Sequence, residues 1–275
     1  VYLLDDEVFR ALALILVGTL ACYLLFPFLL TFQAHLHTKE SSRCGSTSAA
    51  EYPAYYKSLG YSGIFITDHF FNGNCRISND LPWEDRVNMF CRSYELAKEA
   101  GDAIDFPVFF GWEANFDGDE FLIYGLDKKW LLGHPDIMSY SRAEQYDVIH
   151  RDNGLVVQAH PFRERDYLNT IYLNPETCDA MEGYNTFNHM YNNHNAEIYC
   201  REHNIFMTAG SDLHKIGSTE DCNLYGMEFD SPLANEADYV KRILNREGHI
   251  AVPHAHRVPD NYTIETKLPV VTNHR

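Results

Sequence analysis

Gln33-Ala34-His35-Leu36-His37-Thr38 is the stretch from which the rest of the chain is read. The run Phe32 to His37 has the look of a strand, and residues two apart on a strand face the same side. His35 and His37 therefore point one way while Leu36 packs the other, so both imidazoles can reach a single ion. Two histidines at this spacing are a weak signal alone, because a surface edge strand often carries such a pair. Segments further along the chain give the pair its weight.

Four of these segments each deliver ligand-type side chains at the end of an apolar run. In Ile66-Thr67-Asp68-His69 a strand leads into Asp-His, a ligand beside a carboxylate that can orient it or simply cap a turn. In Gly111-Trp112-Glu113 a carboxylate stands where it could bridge two ions. In Gln158-Ala159-His160-Pro161-Phe162 the proline is expected to restrict His160 to an extended backbone and fix its ring. Gly210-Ser211-Asp212-Leu213-His214 repeats the one-residue spacing, with Gly210 expected to permit a tight turn. Any one of these segments taken singly is more economically read as a turn or a solvated loop. Their order along the chain favours a polynuclear metal site.

Placement supports the same reading. Strands are predicted over 32–37, 63–67, 106–112, 121–124, 155–159, 180–183, 205–209 and 225–229, with helices over 49–59, 84–100, 141–151, 188–203 and 236–247. Strand-then-helix order implies an α/β chain with a parallel sheet, and about seven such units imply a closed barrel. In barrels of this kind chemistry sits at the carboxyl ends of the strands, where the histidines and acids above fall.

The series HxH, TDH, GxE, HP and SDxH resembles the PHP (polymerase and histidinol phosphatase) superfamily, over about residues 32–229. That resemblance implies a distorted TIM-like barrel of about seven β/α units. It also implies two or three divalent ions (Mn, Zn or Fe) and hydrolysis of phosphate esters. Matched onto this sequence, the implied metal ligands are His35, His37, His69, Glu113, His160, Asp212 and His214. Two positions depart from the family pattern. An acid or histidine usually follows the first HxH; here Ser42 and Arg43 stand about there, and Glu40, the nearest acid, is taken as the replacement. A histidine usually opens the strand after GxE; here Glu120 is the candidate ligand, with Asp119 in reserve. Exchanging imidazole for carboxylate favours harder ions such as Mn²⁺ or Fe²⁺.

A formal net charge of −17 argues against a nucleic-acid polymer as partner, since such proteins present a basic face. A small phosphorylated substrate remains compatible, because bound cations reverse the local field. Seven scattered cysteines exclude a zinc ribbon or CxxC site by spacing and fit free thiols, which favours a reducing, cytoplasm-facing setting. The oligomeric state is not legible.

Residues 8–30 carry a single charge, Arg10, over a length that could span a bilayer. Residues 1–31 are therefore expected to form an apolar helix and membrane anchor, and 32–275 the metal-dependent domain. A buried helix is the alternative.

For the chemistry, Asp68 and His214 are candidates to pass a proton to the leaving oxygen, and Arg163 and Lys215 to hold phosphate. Competing readings are hydrolysis of a non-phosphate bond such as an amide, and a membrane-tethered metal-binding module without catalysis. A lysine at the end of a central strand, expected for many metal-dependent amide hydrolases, is not seen in the sequence.

Overall fold

The computed structural model describes residues 29–217 and 224–272. The strands are β1 (Leu30–Gln33), β2 (Gly63–Ile66), β3 (Val108–Phe116), β4 (Asp119–Tyr124), β5 (Leu155–Gln158), β6 (Ile171–Leu173) and β7 (Ala180–Asn185). They continue with β8 (Phe206–Gly210), β9 (Gly226–Phe229), β10 (His249–Ala251) and β11 (Val270–Thr272). Six α-helices are described: α1 (Tyr52–Ser58), α2 (Trp83–Asp102), α3 (Lys128–Gly133), α4 (Arg142–Arg151), α5 (Met190–Glu202) and α6 (Glu236–Leu244).

Nine strands form one sheet in the order β10-β9-β1-β2-β3-β4-β5-β7-β8, while β6 and β11 pair separately. Beyond β8 the chain returns to β1. The Asp212 amide donates to the His35 carbonyl (2.8 Å), the His37 amide to the Leu213 carbonyl (2.9 Å), and Leu36 bridges Leu213 in parallel. At the other end of β1, antiparallel β9 takes that edge. The sheet is thus a nearly closed, barrel-like α/β structure that meets itself at the ends of β1 and β8 bearing the histidines.

Strict strand-helix alternation does not hold. β3 and β4 form a hairpin pairing Phe116 with Asp119, and β4 is antiparallel to both neighbours. The turn residues Asp117 and Gly118 have φ of 56° and 104°. Positive φ at both central positions is the demand of a two-residue hairpin turn, and Asp-Gly meets it.

Alternation along the strands separates two environments. Phe65, Phe109, Leu122, Tyr124, Val157 and Ala180 share the inner core, whereas Ile66, Phe110, Ile123 and Val156 pack outward against other clusters. On β3 the inner face continues from Phe109 through Gly111 to Glu113. On β4 it runs from Tyr124 and Leu122 to Glu120, and on β7 from Ala180 to Glu182. One end of the barrel is therefore apolar and the other carries carboxylates. The amphipathic α6 packs on the apolar end, where Tyr239 lies 4.6 Å from Phe65 and 5.1 Å from Tyr124 between ring centroids.

The expected membrane anchorage is corrected. Among the described residues no helix is long and apolar enough to cross a membrane. Residues 1–28 of the expected apolar helix (1–31) lie outside the described residues, and Leu30, the last residue of the expected span 8–30, belongs to β1 rather than to a helix. Cys44, Cys75, Cys91, Cys178 and Cys200 are unpaired thiols.

Candidate metal centre

Six strand ends bring the candidate side chains into one buried pocket. Four sets each hold their ligand atoms within 4.8 Å of one another: His35, His37 and Glu113; His35, His160 and Asp212; His69, Glu113 and Glu120; and His37, Cys44, His69 and His214. Glu113, like His35, His37 and His69, belongs to two sets. Its Oε1 lies 3.1 Å from His160 Nε2 and 3.4 Å from His35 Nε2, and its Oε2 lies 2.8 Å from His69 Nδ1 and 3.3 Å from His37 Nε2. Asp212 Oδ1 stands 3.0 Å from His37 Nε2 and 3.7 Å from His214 Nδ1. Glu120 closes the far side, 3.4 Å from His160 and 3.9 Å from His69.

A surrounding row of hydrogen bonds fixes these rings. His35 Nδ1 meets Glu182 Oε1 at 3.0 Å, while Glu182 Oε2 accepts from the His160 amide (3.1 Å) and Asn185 Nδ2 (2.9 Å). A carboxylate behind a histidine in this way sets its tautomer and raises its basicity as a ligand. His37 Nδ1 lies 3.1 Å from Ser42 Oγ, which donates onward to Asp68 Oδ1 at 2.6 Å. Arg163 binds Asp212 Oδ2 at 2.6 Å, and Arg165 binds Glu120 Oε2 at 2.5 Å.

Electrostatics follow from packing opposite charges in a dry place. Burial pulls His35 down, but Glu182, Asp212 and Glu113 together hold it well above the usual imidazole range. Burial, His69 and His214 instead hold His37 well below that range. Burial pushes the carboxyls of Glu113 and Asp212 up, yet both end well below the usual carboxylate range. His35 and His69 dominate at Glu113, and Arg163 and His35 at Asp212. Carboxylates kept ionised among neutralisable imidazoles form a donor set suited to divalent cations.

One observation tests that fit directly. His69 Nδ1 and Glu113 Oε2 are both buried without a hydrogen-bond partner although they lie 2.8 Å apart. Buried polar atoms without partners are costly. Two such atoms converging on one point are what shared coordination of a cation would satisfy.

The backbone is strained at two ligands. His160 has φ of 29° and Asp212 of 57°, in the left-handed region that costs non-glycine residues and that clusters at functional sites. The extended backbone expected at His160 is thus overturned. Its amide is instead turned onto Glu182, which outweighs the steric preference set by Pro161. Gly210 serves close approach rather than a turn of unusual φ. A Cβ there would sit 2.6 Å from both Glu182 Oε1 and His35 Cβ. Gly210→Ala is expected to destabilise the fold by about 1–3 kcal/mol through overpacking. Denaturant titration checks this, and an unchanged midpoint would contradict the tight packing.

Most sequence candidates are brought together, but Glu40, Asp68 and the reserve Asp119 are not. Glu40 faces away: its carboxylate accepts from Ser48 Oγ (2.8 Å) and the Ala49 amide (3.0 Å), capping a short 3₁₀ turn. Asp68 is buried behind the site, accepting from Thr38 N, Thr38 Oγ1 and Ser42 Oγ. It therefore braces the His37 loop and does not reach the cavity. Asp119, the reserve ligand, accepts instead from Asn174 Nδ2 at 3.1 Å. The residues missed by sequence reasoning are Cys44, which joins three histidines, and Arg165. Cys44 lies seven residues past His37 in the loop where the departure from the family pattern was noticed, so the place was visible though the residue was not.

The pocket opens into a cavity of about 450 Å³, lined among others by His69, Asn115, Arg163, Arg165, Tyr167 and His214. A larger cavity of about 730 Å³ beside α2 and α3 holds none of the ligand side chains.

No family model matches the chain, and no curated protein matches it. Among solved structures, the chain is similar to a two-domain protein from Bacteroides vulgatus containing a predicted PHP-like metal-dependent phosphoesterase. That similarity has a TM-score of 0.61 at 15% identity, covering 81% of this chain and 64% of that protein. The chain thus spans less than two thirds of that relative, and the likeness is one of fold. An inferred metal-dependent phosphoesterase from Bifidobacterium adolescentis gives a TM-score of 0.48 at 15% identity, covering 84% of this chain and all (100%) of that one. PsfC from Pseudomonas syringae gives 0.49 at 13%, covering 79% and 94%.

Proposed function

We propose, from the premise that this chain has a PHP-like fold, that it is a metal-dependent hydrolase of phosphate esters acting on a small phosphorylated substrate. The observation that carries the reading is the convergence of His35, His37, His69, Glu113, Glu120, His160, Asp212 and His214 on one pocket. At its centre, buried atoms of His69 and Glu113 lack other partners. These residues would hold two or three divalent ions, with Mn, Zn and Fe as the candidates. Such ions, when bound, supply Lewis-acid polarisation of the phosphoryl group and activation of water.

The chain's own groups have separate tasks. Glu182 and Ser42 orient His35 and His37. Arg165 stands on the cavity wall, where its charge draws in an anionic ester while its Nη2 steadies Glu120. Arg163, with all three of its nitrogens on Asp212, Asn185 and Asn188, acts chiefly as a positioning residue. His214 is 29% exposed at the rim; burial lowers its pKa, but Cys44 and Asp212 outweigh it and raise it. Where it does not itself hold an ion, it is the side chain placed to protonate a leaving oxygen.

The test is hydrolysis of para-nitrophenyl phosphate and its bis ester by the full chain, with Mn²⁺, Zn²⁺ or Fe²⁺ and after chelation. A His35→Ala, His37→Ala variant serves as control. Turnover that requires metal and is abolished in the variant supports the reading; metal-independent turnover, or none with any ion, counts against it. Thermal unfolding gives a second readout. Metal at a hundred times its Kd should add about 2.7 kcal/mol. For a chain of this size that raises Tm by roughly 5–11 °C.

A further inference from the structure

We propose that Cys44 is itself a metal ligand, its thiolate completing with His37, His69 and His214 a sulfur-bearing subsite that prefers a thiophilic divalent ion such as Zn²⁺. This inference rests on the reading of the pocket as a metal centre, and it names a ligand and an ion preference that the reading lacks.

Three observations support it. Cys44 and the three histidines hold one ligand atom each within 4.8 Å of one another, so the thiol is one corner of a four-donor cluster and not an isolated cysteine. His37 is fully buried and His69 nearly so, with the His69 Nδ1 atom left without a hydrogen-bond partner. The position where an acid was expected is taken by Ser42, whose hydroxyl is already committed to Asp68 and to the His69 amide. Neither Ser42 nor the outward-facing Glu40 can fill the corner, and Cys44 stands in it.

The loop bearing Cys44 is held, not swinging. The Arg43 amide donates to the Asn74 carbonyl (3.0 Å), the Gly45 amide to Ser42 (3.2 Å), and the Ser46 amide to the His214 carbonyl (2.8 Å). A Cβ on Gly45 would lie 2.1 Å from the Thr38 carbonyl oxygen, so only glycine lets the loop fold back this tightly. The residues flanking Cys44 are thereby tied to Asn74 on one side and to His214, a member of the same cluster, on the other. Such preplacement lowers the cost of binding an ion there.

Ligand softness gives the chemical consequence. Thiolate selects zinc or copper(I) over manganese or magnesium, while carboxylate does the reverse. The two unusual positions of this pocket then pull in opposite directions: Glu120 hardens one side and Cys44 softens the other. The centre would be mixed, with a thiophilic ion on the Cys44 side.

Cobalt(II) substituted into the full chain reads this directly, because a thiolate ligand gives cobalt a near-ultraviolet charge-transfer band that nitrogen and oxygen ligands do not. The band is expected in the wild-type protein, absent in Cys44→Ser and Cys44→Asp, with bound cobalt counted on each sample. Zinc retention against a chelator should fall by about tenfold or more in Cys44→Ser, the lower end of what even outer partners of metal ligands contribute. Cys44→Asp should keep metal and shift preference towards Mn²⁺. Cobalt bound without the band, or a band that survives in both variants, overturns Cys44 as ligand and leaves the metal centre standing. A wild-type chain that takes up no cobalt, zinc or manganese overturns both.

Discussion

Glu113→Ala is expected to lower metal-dependent turnover by about a thousandfold or more, with the largest loss of bound metal among single substitutions in the pocket. The reason is its place in the contact pattern. Both oxygens are used, Oε1 towards His160 and His35, Oε2 towards His69 and His37. Its carboxylate is fully buried, so no water can replace it without rearrangement. Four of the surrounding imidazoles would lose their shared counter-charge at once. Glu113→Gln tests charge against shape: it keeps the volume and one acceptor oxygen but removes the negative charge, and should be nearly as inactive as alanine. Glu182→Ala makes a useful contrast. Glu182 touches His35 from behind, and loss of such an outer partner costs about 10–100-fold in metal affinity. Metal counts and turnover on the three variants check the ordering. Turnover by Glu113→Ala within about tenfold of wild type would remove Glu113 from the centre of the site.

How far the sequence was legible differs between the fold and the pocket. Each strand expected from apolar runs is present, because burial on both faces leaves a strong imprint, as in Ile64-Phe65-Ile66. The hairpin was missed although Asp117-Gly118 announces it, because the strand was ended at 112, which left Asp117-Gly118 in a loop instead of at a turn between two paired strands. At the site, ligand types spaced two apart were readable in pairs, so His35 with His37 and Asp212 with His214 came from spacing, although both pairs lie just past the ends of β1 and β8 rather than on them. Glu120 was readable because it opens an apolar strand. Cys44 and Glu40 were exchanged because both sit in a loop, where no period says which side chain turns inward. Hydrogen bonds to residues far along the chain, such as Asn74 and His214, decide it there. Arg163 shows the same limit: its position near His160 was evident, but its partner Asp212 lies 49 residues away.

That pairing leads to the second large effect expected. Arg163→Ala should destabilise the metal-free protein by about 3–5 kcal/mol, the cost of leaving a buried charge without its partner. Asp212 is only 4% exposed, its Oδ2 receives Arg163 Nη1 at 2.6 Å, and Arg163 is the largest favourable influence keeping its carboxyl ionised. Read from sequence alone, Arg163 would clamp the phosphate. In the folded chain its Nε and Nη2 are also occupied, by Asn188 at 2.6 Å and Asn185 at 2.9 Å, so few donors remain for a substrate. The two roles separate in measurement. A phosphate clamp would raise KM and leave metal-free stability almost untouched. A positioning residue would lower kcat and metal affinity, with KM little changed, and would destabilise the metal-free form more than the loaded form. The last difference is diagnostic, because a bound cation supplies the counter-charge that Asp212 loses with Arg163. Arg163→Lys should recover part of the stability through its single charge but not the fork that holds Asp212 and Asn185 together. Equal destabilisation with and without metal, accompanied by a rise in KM alone, would return Arg163 to the substrate.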